Sequence, residues 1–154
     1  MRFLKKLLSL LVTVWIAVLG VLYIYVYGGI VILIGNVIGK FKGKKERKTF
    51  ISREVSRFGR AAFVLSGSRV RLSGKENVPE TGPMVIVANH QSAFDIPLIP
   101  GYVYPEIAFI AKKELSKIPG ISWFISALDG VYIERGNRLQ TAGAMRKIFR
   151  ILKE

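Results

Sequence analysis

The chain has 154 residues, room for one domain and an appendage. Lys and Arg number 24 against 10 Asp and Glu, a net charge of +14, in a chain that is 51% hydrophobic. That combination argues against an ordinary soluble domain and points to a membrane-contacting part with a basic surface facing anionic headgroups. The absence of cysteine excludes a disulfide scaffold, a thiolate nucleophile and a Cys-based metal site.

Leu7 to Gly39 carries no charged residue over 33 positions. As one helix this is about 50 Å, against a bilayer hydrocarbon core of about 30 Å. Gly28-Gly29 lies inside it and can break or bend a helix. The expectation is two apolar helices, Leu7–Tyr27 and Ile30–Gly39, joined there. Arg2, Lys5 and Lys6 precede the run; Lys40, Lys42, Lys44, Lys45, Arg47 and Lys48 follow it. Cytoplasmic flanks favour Lys and Arg, so both ends prefer the same side. A membrane hairpin satisfies this, as does a long tilted span with a weak orientation signal. Tyr23, Tyr25 and Tyr27 mark either an interfacial depth or plain packing. A cleaved signal peptide is disfavoured, because the run is longer than the usual apolar region and no small-x-small cleavage site stands out. Residues 1–48 are thus expected to form the anchor, and 49–154 part of a second domain.

Ile51, Val55, Phe58, Ala62 and Leu65 are spaced 4, 3, 4 and 3, one face of a helix. Arg53, Arg57 and Arg60 lie off that stripe, as a solvated face or as partners of lipid phosphate. Gly67 is a stop signal. Arg69-Val70-Arg71-Leu72 alternates like a strand, and Met84–Ala88 is an apolar run of strand length.

Asn89-His90-Gln91-Ser92-Ala93-Phe94-Asp95 follows that run and holds the only histidine. At the end of a core strand, His90 would sit where open α/β sheets bind ligands. In a continuous helix His90 and Asp95 would lie roughly 140° apart. A strand, a turn and a helix start bring them together. Imidazole then accepts a proton at neutral pH, while a carboxylate on its other nitrogen fixes the tautomer and steadies the imidazolium. Taken singly, the histidine reads as a loop or core residue, Asp95 as a helix N-cap and Ser92 as a turn residue.

Ile107–Ile110 is a third short strand candidate, and Trp123, Phe124, Ile125 and Leu128 suit a short packed helix. Gly130–Arg135 reads as a strand with Arg135 at its C-terminal edge, where a guanidinium suits phosphate. Asn137-x-x-Gln140 reads as a capping box for a last helix with an apolar face of Leu139, Ala142, Met145, Ile148, Phe149 and Leu152. One histidine and scattered carboxylates give no metal-ligand cluster. No nucleic-acid motif appears, so nucleic acid is not an expected partner.

Asn89-His90-Gln91-Ser92-x-x-Asp95 resembles the first motif, His-x4-Asp, of the glycerolipid acyltransferases, and in particular the bacterial 1-acyl-sn-glycerol-3-phosphate acyltransferases. Gly74, Glu76, Asn77 and Pro79 fit a segment that precedes this motif in the family. Lys112 to Pro119 is similar to its Lys-x-Glu-Leu-x-x-x-Pro region, although Ser122 stands before Trp123 where the family commonly has glycine. Gly130–Arg135 matches its second motif.

The resemblance covers Lys40 to the last residue. It implies an α/β domain, a mixed sheet flanked by helices and preceded by a membrane-associated helical hairpin. It also implies transfer of a fatty acyl group from acyl-CoA or acyl carrier protein to the sn-2 hydroxyl of 1-acyl-glycerol-3-phosphate, giving phosphatidic acid. His90 would be the general base and Asp95 its orienting partner. Arg135, with Lys112 as a weaker candidate, would hold phosphate. Backbone N–H groups near Ser92 or the start of the Asp95 helix are candidate oxyanion donors. No cofactor beyond the acyl donor is implied. Membrane phospholipid and lysophosphatidate would be its partners, with the active domain on the cytoplasmic face.

The family's third motif, of the Pro-Glu-Gly-Thr-Arg type, does not occur in this sequence. The expectation is therefore a domain incomplete at its C-terminal side, with an open sheet edge and poor stability by itself. The alternative is a truncated, non-catalytic, membrane-attached remnant that binds lipid or a partner.

Overall fold

The computed structural model describes residues 2–80, 82–134 and 136–153. Its first element, α1 (Arg2–Lys42), is one continuous helix of 41 residues. The predicted break at Gly28-Gly29 is not there. Gly28 instead admits a close neighbour, as does Gly35 further along: a Cβ on Gly28 would lie 2.8 Å from the Phe124 ring, and one on Gly35 would lie 2.8 Å from Ile51. A glycine costs a helix about 1 kcal/mol relative to alanine, which tight packing of this kind offsets.

The chain reverses at Gly43, whose φ of 100° is open to glycine and strained for other residues. Then α2 (Lys44–Leu65) runs back along α1. Arg47 Nε donates to Asn36 Oδ1 at 3.0 Å, Ile51 seats on Gly35, Tyr27 donates to Glu54, and Tyr23 stacks on Phe58 at 5.5 Å. A helical hairpin thus exists, but its turn lies in the basic segment after the apolar run. The tyrosines take the packing role: Tyr23 stacks on Tyr27, and Tyr25 meets Trp123 edge-on.

The opposite face of α1 stays apolar and exposed as far as Ile30, Leu33, Ile34, Val37 and Phe41. Leu4–Lys42 is long and apolar enough to cross a membrane, its most apolar 18-residue stretch having a mean hydropathy of 2.6.

On α2, Ile51 is buried and Val55, Phe58 and Ala62 are half-buried, as the stripe predicts, whereas Leu65 is exposed. The helix ends at the predicted stop. Gly67 N–H donates to Val64 O and Ser68 N–H to Phe63 O, which satisfies the last carbonyls. The core joins the hairpin to the rest of the chain: Val31 and Ile51 pack with Ala127 and Leu128, ringed by Tyr27, Phe50, Val55, Phe109 and Phe124.

Among the described residues the sheet has two strands, β1 (Ile110–Lys112) and β2 (Val131–Ile133), parallel and in the register Ile110↔Val131. They are joined by a 3₁₀ segment and α4 (Ile121–Ala127). The predicted larger mixed sheet is therefore corrected to a small parallel one. Arg69–Leu72 and Met84–Ala88 form no strand among the described residues, and Val85 and Val87 are 63% and 89% exposed. An apolar run becomes a strand only when a neighbour completes its hydrogen-bond ladder, and none does so among the described residues.

After a short helix, α3 (Asp95–Leu98), and one π-helical turn, Ile99–Val103, the segment returns to α2. The last helix, α5 (Arg138–Ile151), is capped by Asn137, whose Oδ1 accepts from Gln140 N–H at 3.1 Å, but the predicted box is only half made: Asn137 N–H donates to Glu134 O, and Gln140 Oε1 has no partner among the described residues. The predicted apolar face is mostly not the buried one: Leu139, Ala142, Met145 and Phe149 are exposed, Ile148 and Leu152 are half-buried, and the buried residue is Ala144, outside that face.

Candidate active site

Asp95 organises the turn that carries the lone histidine. Its Oδ2 accepts the Gln91 N–H at 2.7 Å and the Ser92 N–H at 3.0 Å, and lies 2.9 Å from His90 Nδ1. Asp95 begins α3 but does not cap it by its side chain. The carboxylate reaches back over the turn and ties both ends of the motif. Ser92 supports the same geometry, its Oγ accepting from Phe94 N–H at 3.1 Å and its carbonyl from Asp95 N–H at 3.2 Å. The five-residue spacing works because the chain turns between His90 and Asp95 and is helical only from Asp95 onward.

The electrostatics follow from these contacts. The backbone N–H groups of Ser92 and then Gln91, with a smaller contribution from His90, hold the Asp95 carboxyl below the usual carboxylate range. It is therefore an anion at neutral pH. The His90 side chain is 68% exposed, so the ring is open to an incoming molecule. One oxygen fixes Nδ1 as the protonated nitrogen, and Nε2 is left to accept a proton.

The expected setting of the pair differs from the observed one. His90 does not follow a core strand, because Val85–Ala88 is exposed and Met84–Ala88 pairs with no strand among the described residues. The Ser92 N–H is already committed to Asp95, which removes it as an oxyanion donor. Lys112 ends β1, is exposed, and pairs with Glu114 at 3.3 Å; no hydrogen bond or ion pair links it to His90 or Asp95 among the described residues. Arg135 lies outside the described residues. Next to it, Glu134 accepts from Lys113 Nζ at 2.8 Å, which ties the C-terminal ends of β1 and β2 together and holds the Glu134 carboxyl low.

Sequence reasoning missed two features. The Gln91 and Ser92 N–H groups are the partners of Asp95, and the signal was an aspartate three and four positions downstream of them, close enough for a short polar side chain to reach back to the backbone. Glu54 is buried between Tyr27 and Arg57, and only the tertiary pairing of α1 with α2 could expose that role. Among the described residues no cluster of three or more His, Cys, Asp or Glu is placed to hold a metal ion.

Comparison with known proteins gives the lineage. Residues 69–154 match the Acyltransferase family. The 1-acyl-sn-glycerol-3-phosphate acyltransferase of Saccharomyces cerevisiae is 31% identical over 147 residues, covering 95% of this chain and 44% of that protein. The protein of the same name from Borreliella burgdorferi is 28% identical over 91 residues, covering 58% of this chain and 36% of that one. The crystal structure of the 1-acyl-sn-glycerophosphate (LPA) acyltransferase PlsC from Thermotoga maritima superposes with a TM-score of 0.79 at 38% identity, over 96% of this chain and 57% of that one. The chain spans about half the length of the relatives it matches. On the family match and the common fold, it belongs to the acyltransferase family that includes the 1-acyl-sn-glycerol-3-phosphate acyltransferases.

Proposed function

We propose that this chain carries the hydroxyl-activating part of a lysophosphatidate acyltransferase. The acyl donor is a thioester, acyl-CoA or acyl carrier protein. The acceptor is the sn-2 hydroxyl of 1-acyl-glycerol-3-phosphate, and the product is phosphatidic acid. His90 Nε2 takes the hydroxyl proton as the oxygen attacks the thioester carbonyl. The carbonyl becomes a tetrahedral oxyanion; it collapses, the C–S bond breaks, and the leaving thiolate recovers the proton from the imidazolium. Asp95 stays ionised throughout and stabilises that imidazolium. A thiolate leaves readily, so no covalent acyl-enzyme is needed, which suits a chain without cysteine. Arg135, with Lys112, holds the acceptor phosphate by charge-assisted hydrogen bonds. The apolar α1 brings the site to the bilayer where the acceptor resides, and its basic flanks favour the cytoplasmic face.

The observation that carries this reading is the 2.9 Å contact of His90 Nδ1 with a carboxylate held in place by two backbone N–H groups. Its test is His90→Ala in the full-length protein, assayed with lysophosphatidate and each thioester donor. A general base contributes about 10²–10⁴-fold, so a loss of at most about tenfold overturns the reading.

A second reading has one observation in its favour. The apolar segment ahead of the motif, Met84–Ala88, pairs with no strand among the described residues, and Val85–Ala88 is exposed, leaving an apolar surface that a lipid or a partner could cover. On that reading the chain is a membrane-attached lipid- or partner-binding remnant. Binding to anionic vesicles without turnover, for wild type and His90→Ala alike, distinguishes it.

A further inference from the structure

The turn bearing His90 and Asp95 has little local support. The segment before it pairs with no strand among the described residues, and α3 after it is one turn long. Its hold on the fold comes from α2. Gly59, Arg60 and Phe63 occupy one turn of that helix, and each makes a different contact with the segment. A Cβ on Gly59 would lie 2.3 Å from the Pro97 carbonyl oxygen and 3.1 Å from Gly101 Cα, so the two backbones meet without side chains between them. Gly101 reciprocates, since a Cβ there would lie 3.0 Å from the Gly59 carbonyl carbon. Arg60 Nε donates to Gly101 O at 2.7 Å. The Phe63 ring meets Phe94 and Tyr102 edge to face, both at 5.7 Å. Phe94 immediately precedes Asp95 within the motif.

We infer that Gly59, Arg60 and Phe63 are positioning residues that clamp the Pro97–Gly101 backbone and the Phe94 ring, and through them set the placement of the His90–Asp95 pair. The inference rests on the general-base reading of that pair. None of the three belongs to the buried cluster of Val31, Ile51, Ala127 and Leu128, so the clamp can loosen while the core persists. Its effect is on geometry: a misplacement of about 1 Å can cost about a hundredfold in rate even when the change is remote from the reacting atoms.

The test uses Arg60→Ala and Phe63→Leu, with Arg60→Lys as the conservative partner and His90→Ala alongside, in the full-length protein in phospholipid vesicles. Gly59→Ala is avoided because the added Cβ would reseat the helix. In Arg60→Ala and Phe63→Leu, kcat falls by about ten- to hundredfold while KM for the lysophospholipid changes by less than about twofold. Arg60→Lys recovers most of kcat, because an ammonium still donates to the Gly101 carbonyl. The imidazole NMR signals of the one histidine shift or broaden in the first two variants and are restored in the third.

Unchanged kcat in Arg60→Ala and Phe63→Leu, with His90→Ala inactive, sinks the clamp and leaves the base intact. A loss that follows the melting temperature, with no recovery in Arg60→Lys, reduces the contacts to plain packing and also overturns the inference. Activity retained in His90→Ala removes the base reading, and this inference with it.

Discussion

Replacing Asp95 separates two roles that a carboxylate can play beside an imidazole. Three donors converge on one oxygen: Gln91 N–H, Ser92 N–H and His90 Nδ1. In Asp95→Asn the amide oxygen must occupy that place, because the NH₂ group would face three donors. The histidine then keeps Nδ1–H as a donor and Nε2 as an acceptor, and only the negative charge is lost. In the triad where the corresponding change installs the wrong tautomer, the loss is about 10⁴-fold. Here the tautomer survives and the ring is largely exposed, so the expected loss in kcat is about 10²-fold, at the low end of general-base catalysis. Asp95→Ala removes charge, tautomer control and both backbone contacts, and should fall by about 10³–10⁴-fold, close to His90→Ala. The assay is thioester-dependent acylation of lysophosphatidate at saturating donor, with kcat and KM separated. Asp95→Asn as inactive as Asp95→Ala would refute the converging-donor argument. Asp95→Ala within about tenfold of wild type would refute a role for Asp95 altogether.

Other substitutions probe the fold that holds the pair. Gly43→Ala forces a side chain onto a φ of 100° at the hairpin turn and should destabilise the protein by about 1–2 kcal/mol, read as a lowered Tm. Gly35→Leu drives bulk into the Ile51 contact and should cost about 1–3 kcal/mol by the same measurement. Asn137→Ala removes the α5 cap, at a cost of about 1 kcal/mol seen by denaturant titration. The pH dependence of the turn follows from Asp95. Its folded pKa is depressed, so its stabilisation is complete above the unfolded carboxylate value of about 4 and is lost as pH falls through the lowered folded value. Gln91 and Ser92 amide protection should decline only in that acid range, and Asp95→Asn should abolish the pH dependence.

What could be read from the chain alone was what depends on near neighbours. The Asn137 cap, the Gly67 stop and the Ile51–Ala62 stripe need only a few residues of context, and each appears where the pattern put it. The second-motif strand at Gly130 also appears, as β2, because a parallel partner at Ile110–Lys112 is within reach by one crossover. Gly28-Gly29 misled because a glycine pair has two meanings, a break or a notch, and only the Phe124 ring against it decides between them. Met84–Ala88 misled for a related reason: apolar content makes a strand possible, but the ladder partner makes it real. The His90–Asp95 pairing was legible as chemistry, whereas its scaffold of two backbone N–H groups depends on a turn conformation that composition does not specify.

The central claim is that Asp95 holds His90 with Nδ1 protonated and Nε2 free to take a proton. A single histidine makes this directly measurable by long-range ¹H–¹⁵N correlation of the imidazole, recorded on the full-length protein in bilayer mimetics at alkaline pH. The account predicts the Nδ1–H tautomer in wild type and its loss in Asp95→Ala. An Nε2–H tautomer in wild type, or spectra that Asp95→Ala leaves unchanged, would contradict it.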